Sequence, residues 1–284
     1  MALAIAVVTV WGTNFVIVHE ALQQFPPLTF GALRFLIASV PLLVFVRPPL
    51  MPPLSIVAYA VLVGAGQFGL LALALDGRIS PGTASFLLQT QAFFTIGLAV
   101  LIVGERVTLR SVVALAVCLF GVLIVALNVG ADASAAGVVL VIGSALSWAG
   151  GNVIVKSAGA VCMFSLVVWS SLIAAPVLMA GALLLEGPDQ IVGRLGSVTL
   201  AGWLALLWQA IGNVLFGYGA WNILLSRYPA AMIAPLTLMV PVIGMACSSW
   251  YLKERMPAWK LTAAILIVGG LALNSLRPVA VRPN

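Results

Sequence analysis

The chain has 284 residues, 63% of them hydrophobic and only 7% charged, with a mean hydropathy of +1.21. A soluble domain carries roughly 25% charged residues, so this composition excludes a water-soluble globular protein and points to an all-α integral membrane protein. The net charge of +6 comes from basic residues scattered singly through short connections. Without a basic patch or stripe it gives no sign of a nucleic-acid partner; in a membrane such residues set orientation and anchor helix ends.

A helix needs about 20 mostly apolar residues to cross the hydrocarbon. In chain order, spans are expected near 2–20, 28–46, 54–75, 80–103, 109–127, 137–156, 163–185, 199–225, 229–251 and 257–276. The first span is apolar from residue 2 and lacks the basic flank of a signal peptide, so it reads as a transmembrane helix, with room for a short leader ahead of it. The breaks are short and rich in glycine, proline and charge, as at Phe25-Pro26-Pro27, Asp76-Gly77-Arg78 and Glu186-Gly187-Pro188-Asp189. Only 186–198 is long enough to be more than a tight turn.

The ten spans read as one unit written twice. Trp11-Gly12-Thr13-Asn14 opens the first half and Trp148-Ala149-Gly150-Gly151-Asn152 the second. Late in each half an apolar span ends in an acidic-basic pair, Glu105-Arg106 and then Glu254-Arg255, followed by one last span. Each half thus holds five spans, with 1–130 as the first unit and 131–284 as the second. Two similar units with an odd number of spans sit in the bilayer with opposite orientations, the inverted-repeat design of many secondary transporters. If the N-terminus is cytoplasmic, that side carries Arg47, Arg106, Arg110, Lys156, Arg227, Arg277 and Arg282, against Arg78, Arg194, Lys253, Arg255 and Lys260 opposite. The positive-inside rule therefore places both termini in the cytoplasm.

The repeat resembles the EamA-type branch of the drug/metabolite transporter superfamily over almost the whole chain. The resemblance rests on Trp11–Val16, Pro26-Pro27-Leu28, Leu33-Arg34-Phe35, Gln89–Thr95 and Gly104-Glu105-Arg106 in the first half. In the second it rests on Ser147–Asn152, Val168-Trp169-Ser170, Gly217–Trp221, Ala234–Pro241 and Lys253-Glu254-Arg255. Within that branch the chain is similar to bacterial inner-membrane exporters of amino acids and related metabolites, such as cysteine/O-acetylserine exporters and YddG-type exporters. The resemblance implies ten transmembrane helices, two inverted five-helix repeats and alternating access, with the site between the repeats near the bilayer midplane. It implies a small-molecule substrate, no cofactor, and a chain able to act as a monomer. Many family members have proline where this chain has Phe93, whereas Pro241 keeps it in the second half.

Charges inside spans are rare, so recognition falls to uncharged polar and aromatic residues. Asn14 lies three residues after Trp11 and Asn152 four after Trp148, which puts each pair on one helix face. An amide and an indole side by side suit a zwitterion with a side chain, although Asn bonded between helices and Trp filling the core would leave the same pattern. Gln209, Asn213, Gly217 and Trp221 form a stripe with Tyr218 beside it. Amides facing lipid would cost several kcal/mol, so the stripe faces protein or water. Ser85 and Gln89 share a face with Phe93, Gln91 is expected to point elsewhere, and Trp169 pairs with Ser165. For Arg34, inside the second span, snorkelling, carbonyl capping and attraction of a carboxylate are all open, with a structural use the simpler reading. Pro41, Pro176 and Pro241 fall inside spans and, with Phe93, are candidate hinges.

Other readings are weaker. Gly64-Ala65-Gly66-Gln67-Phe68-Gly69 fits the dinucleotide pattern, but inside an apolar span it reads as close helix packing. Cys118, Cys162 and Cys247 match no metal-ligand spacing, and one histidine, His19, makes no metal cluster. A multidrug or aromatic-cation exporter would favour an intramembrane carboxylate, yet every Asp and Glu falls at a helix end or in a loop. An intramembrane enzyme would need a clustered acid/base or metal centre.

Overall fold

The computed structural model describes residues 2–75, 77–79, 84–85, 87–105, 107–128, 134–159, 161–251 and 258–275; the side chains of Phe15 and His19 and the Glu254-Arg255 pair lie outside that description. The described residues are helical, with no strand among them.

The elements in order are α1 (Ala2–Leu22), α2 (Pro27–Ser39), α3 (Pro53–Leu75), α4 (Thr90–Val103), α5 (Leu109–Asn128), α6 (Ala135–Ser157) and α7 (Met163–Leu185). The short α8 (Pro188–Leu195), α9 (Leu200–Arg227), α10 (residues 230–251) and α11 (Ala258–Ser275) follow. Local chemistry sets the ends. Proline stands at the start of α2, α3 and α8, where its missing N–H would be unpaired anyway. Ser134 and Thr199 cap α6 and α9 by accepting from Gly137 and Gly202 N–H groups. Gly104, at φ +74°, takes the left-handed conformation that closes α4.

Among the described residues five helices are long and apolar enough to cross a membrane: α1, α3, α6, α7 and α9. Of the other apolar helices, α5, α10 and α11 run close to their expected bounds, whereas α2 falls short for a local reason. α2 was expected to run to residue 46 but stops at Ser39, followed by a 3₁₀ turn over Val40–Leu42. Pro41 lacks a donor and disfavours helix in the residue before it. Pro176, its counterpart, sits inside the unbroken α7, so the two prolines have different consequences. α10 is broken by a 3₁₀ stretch, Ala234–Leu238, containing Pro235, while Pro241 lies early in the regular helix that follows. The stretch after Glu186 forms α8, as its length suggested.

The principal packing partners follow a rule. α2 packs on α7, α4 on α10 and α5 on α11. α1 packs on α10 and on α9, α6 on α4 and on α3; α3 also packs on α7, and α2 on α9. Leaving out α8, replace each helix by the one five places further along the chain. The first three pairs return to themselves and the others exchange among themselves.

Hydrogen bonds between helix ends fix the direction of each helix. At one end of the bundle, Gln24 after α1 accepts from Thr199 N and Oγ1 before α9, and Glu186 after α7 accepts from the Leu28 and Thr29 amides and the Thr29 hydroxyl at the start of α2. Ser134, before α6, donates to the Arg78 carbonyl after α3. At the other end, Trp169 donates to the Val46 carbonyl and Arg110 in α5 to the Leu273 carbonyl in α11. There too Glu105, after α4, meets Lys156 near the end of α6. α6 therefore runs opposite to its counterpart α1, and the start of α1 and the end of α11 lie at the same end.

Polar and apolar residues are distributed as lipid requires. Arg34, Gln67, Gln89, Asn152, Gln209 and Asn213 are buried inside, whereas Leu101, Leu127, Leu184, Ile211 and Trp250 are exposed on the outside. The Gly64–Gly69 pattern serves close packing, as its apolar setting suggested: a Cβ added at Gly64 would lie 2.2 Å from Ala174 Cβ, and one at Gly66 2.9 Å from Ser147 Oγ. It also lies within a wide-turned stretch of α3, Ala60–Gly69, bonded i→i+5. α4 ends in another such stretch, Ala99–Val103, and α9 carries a third at Gln209–Tyr218. Such turns shift helix register and recur at functional sites.

A candidate substrate cavity between the two halves

α1, α2, α3, α4, α6, α9 and α10 surround a cavity of about 100 Å³. That is roughly seven to ten times the space of about 10–15 Å³ needed for one water position. It extends past Asn14 and Val18 to Leu22, at the end of α1, and past Phe68 and Leu71 to Leu75, at the end of α3. Its mouth is thus at the bundle end where Gln24 meets Thr199.

The opposite end is sealed in layers. Trp11 packs edge-on against Trp148 at 5.3 Å between centroids, and Trp148 against Tyr218 at 5.1 Å. Trp221 lies behind them, 5.3 Å from Trp11. Gly217 allows this floor to form, since a Cβ there would lie 2.5 Å from Trp11 Nε1. Beneath it, Trp221 Nε1 donates to Asn152 Oδ1 at 3.0 Å and Asn152 Nδ2 to Thr95 Oγ1 at 2.9 Å. Asn222 donates to the Tyr59 hydroxyl. Last comes Glu105, paired with Lys156 at 2.6 Å and accepting from the Ala230 amide, while Lys156 also donates to the Tyr228 carbonyl.

Six of the ten residues singled out from sequence line the cavity: Trp11, Asn14, Gln89, Trp148, Asn213 and Tyr218. Gln209 is fully buried beside it, bonded to Asn14 and Arg34. Asn152 and Trp221 belong to the seal below. Trp169 is remote, with its indole committed to the Val46 carbonyl in the connection after α2. Phe93 packs half-buried beside Ile96, Cys118 and Leu238. Among the described residues no three His, Cys, Asp or Glu side chains gather as metal ligands.

Three cavity residues were set aside or passed over in the sequence reading. Gln91, expected to point elsewhere, is in the wall, because residues 88 and 89 form a turn that resets the helix register before α4. Gln67 stands within the glycine pattern and there reads as packing. Arg34 neither snorkels nor caps carbonyls. Only 2% exposed, it donates to Tyr218 OH at 3.0 Å and Gln209 Oε1 at 3.3 Å, with its guanidinium carbon 3.7 Å from the Phe68 ring centroid. The signal in the sequence is its place as a lone cation inside a span, which is a functional hypothesis by default.

Residues 1–127 match the EamA-like transporter family, and residues 135–276 match it again. The chain belongs to the EamA-like transporter family. A protein of Salmonella typhimurium (strain LT2) described as a probable amino-acid metabolite efflux pump is 37% identical over 279 residues, covering 96% of this chain and 93% of the relative. Its Escherichia coli (strain K12) equivalent, described in the same words, is 36% identical over the same shares. A solved crystal structure at 19% identity superposes with a TM-score of 0.75, covering 97% of this EamA-like chain and 96% of the other, a likeness of fold.

Proposed function

We propose that the chain is a secondary exporter of amino acids and related small metabolites, working by alternating access in a bacterial inner membrane. The observation that carries this reading is the cavity, walled by helices of both matched halves, open toward one end and sealed toward the other. Its modest volume suits a small metabolite better than a bulky drug. The exchange of packing partners between halves, and the opposed directions of α1 and α6, support two inverted five-helix repeats with boundaries near residue 130. In this reading the site lies near the midplane, both termini face the cytoplasm, and the mouth faces away from it. Bends at Pro41, Phe93, Pro176 and Pro241 would then let the halves rock.

Coupling follows from what the wall holds. A proton relay through a bilayer normally uses intramembrane Asp, Glu or His. Among the described residues Glu20, Glu105 and Glu186 stand at or beside helix ends, and no carboxylate lines the cavity. Export is therefore driven by the substrate's own gradient. The test is counterflow in proteoliposomes with the twenty protein L-amino acids and O-acetyl-L-serine, with and without an imposed pH gradient. At least one compound is expected to exchange, at a rate the pH gradient leaves unchanged. Exchange of none would overturn the substrate class, and uphill accumulation that a protonophore abolishes would overturn the uncoupled mechanism.

A further inference from the structure

Among the described residues four buried side-chain atoms have no hydrogen-bond partner: Trp11 Nε1, Trp148 Nε1, Arg34 Nε and Gln89 Oε1. All four belong to cavity-lining residues, but the Trp11 N–H is directed at Gly217 in the floor, which leaves Trp148, Arg34 and Gln89 as the groups available to a ligand. An unmet polar group in a dry site is costly, and an unneutralised buried cation more so. Among the described residues the only ion pair is Lys156–Glu105, so the Arg34 guanidinium has no carboxylate. It stays charged, since arginine does not deprotonate in proteins.

The four atoms have a chemical pattern. Three are donors, one of them cationic. They are grouped around Tyr218, whose hydroxyl accepts from Arg34 and whose ring meets both Trp11 and Trp148. The fourth is an acceptor on another wall, in the turn before α4. Gln89 has already committed its amide nitrogen to the Ser85 carbonyl at 3.0 Å, which leaves the oxygen for a donor. A carboxylate accepts about four hydrogen bonds and an ammonium group donates three. Indole and phenol faces add cation–π attraction for the ammonium.

Resting on the proposed amino-acid export, we infer that this cavity reads both ends of an α-amino acid zwitterion: Arg34, aided by the Trp148 indole, takes the carboxylate, and Gln89 Oε1 takes the ammonium. Arg34 is thereby the specificity-determining residue. A substrate with an ammonium but no carboxylate leaves the guanidinium unneutralised and adds a second positive charge beside it, so amines and cationic drugs are rejected. The stem of the amino acid points toward the mouth, where Leu22, Leu71 and Leu75 supply apolar wall.

The test uses the wild-type protein in proteoliposomes. Each amino acid that supports counterflow is competed with its own primary carboxamide and with its decarboxylated amine, both of which keep the side chain and the ammonium. Both are expected to compete about tenfold or more weakly, the loss when a charge-assisted hydrogen bond is forfeited. In Arg34→Gln that preference is expected to vanish, with the carboxamide competing as well as the acid, while Arg34→Lys keeps part of it. Equal competition by acid and carboxamide in the wild type would overturn the carboxylate anchor and leave amino-acid export standing. Retention of the full preference in Arg34→Gln would show that Arg34 only ties α2 to α9. Absence of counterflow with every amino acid would remove the substrate class itself. The wild-type competition decides the matter even if Arg34→Gln does not fold.

Discussion

Replacing Trp148 with phenylalanine is expected to cut transport by about tenfold or more while leaving the protein folded. The phenyl ring keeps most of the edge-on packing against Trp11 and Tyr218. What disappears is the indole N–H, which no protein group uses. Asn152→Ala is expected to behave differently. Asn152 is buried below the floor and accepts from Trp221 Nε1, itself in a fully buried side chain. Removing the amide strands that N–H and the Thr95 hydroxyl, at a cost of about 1–3 kcal/mol per unsatisfied group. Stability in detergent should therefore fall together with transport. The paired readings are counterflow rate and thermal midpoint of purified protein. Full transport by Trp148→Phe would show that the indole N–H does not touch substrate. A fully stable Asn152→Ala that fails to transport would move Asn152 from the seal into the site.

The second large effect is expected at Glu105→Gln. Glu105 holds three elements together at the sealed end: α4, which it ends; α6, through Lys156; and the start of α10, through the Ala230 amide. The side chains of Lys156 and Glu105 are only 10% and 15% exposed. Neutralising Glu105 leaves Lys156 with the Tyr228 carbonyl and no charge partner, and costs this state about 1–3 kcal/mol, less than for a fully buried pair. If the seal must open for export, that cost shifts the balance toward the oppositely open state by roughly 5- to 150-fold. A cysteine at Thr95, below the aromatic floor, should become more reactive to an impermeant maleimide applied at the Glu105 end. Unchanged reactivity would mean that the ion pair is not part of the seal.

The broad architecture was legible because bilayer constraints are blunt. Apolar runs with glycine and proline breaks announced an all-helical membrane protein, and the Trp-x-x-Asn and Trp-x-x-x-Asn openings fall one in each of the two stretches that match the family. Helix lengths were less legible, because they depend on where proline falls within the turn geometry. Pro41 ends α2, while Pro176 is absorbed by α7. The site was half legible. Trp11, Asn14, Asn213 and Tyr218 show themselves as polar or aromatic residues on helix faces. The i+4 stripe of α9 did not separate wall from seal, because the wide-turned stretch over Gln209–Tyr218 alters the spacing. It places Asn213 in the wall while Gln209 and Trp221 become bonded supports. Gln91 was hidden by a register reset, and Arg34 by an ambiguity that only its partners resolve: its donors go to side chains of α9, and among the described residues no carboxylate pairs with it.

The central claim is that one cavity serves both sides of the membrane in turn. In a chain with Cys118, Cys162 and Cys247 replaced, a single cysteine is placed at Val18 in the cavity wall or at Thr95 below the floor. Each protein is reconstituted in liposomes, then labelled with an impermeant maleimide from one side at a time, with and without a transported amino acid. Val18→Cys is expected to react only from the mouth side and Thr95→Cys only from the opposite side, with substrate raising one as it lowers the other. Reaction of both positions with reagent confined to one side would contradict alternating access and reveal a continuous pore.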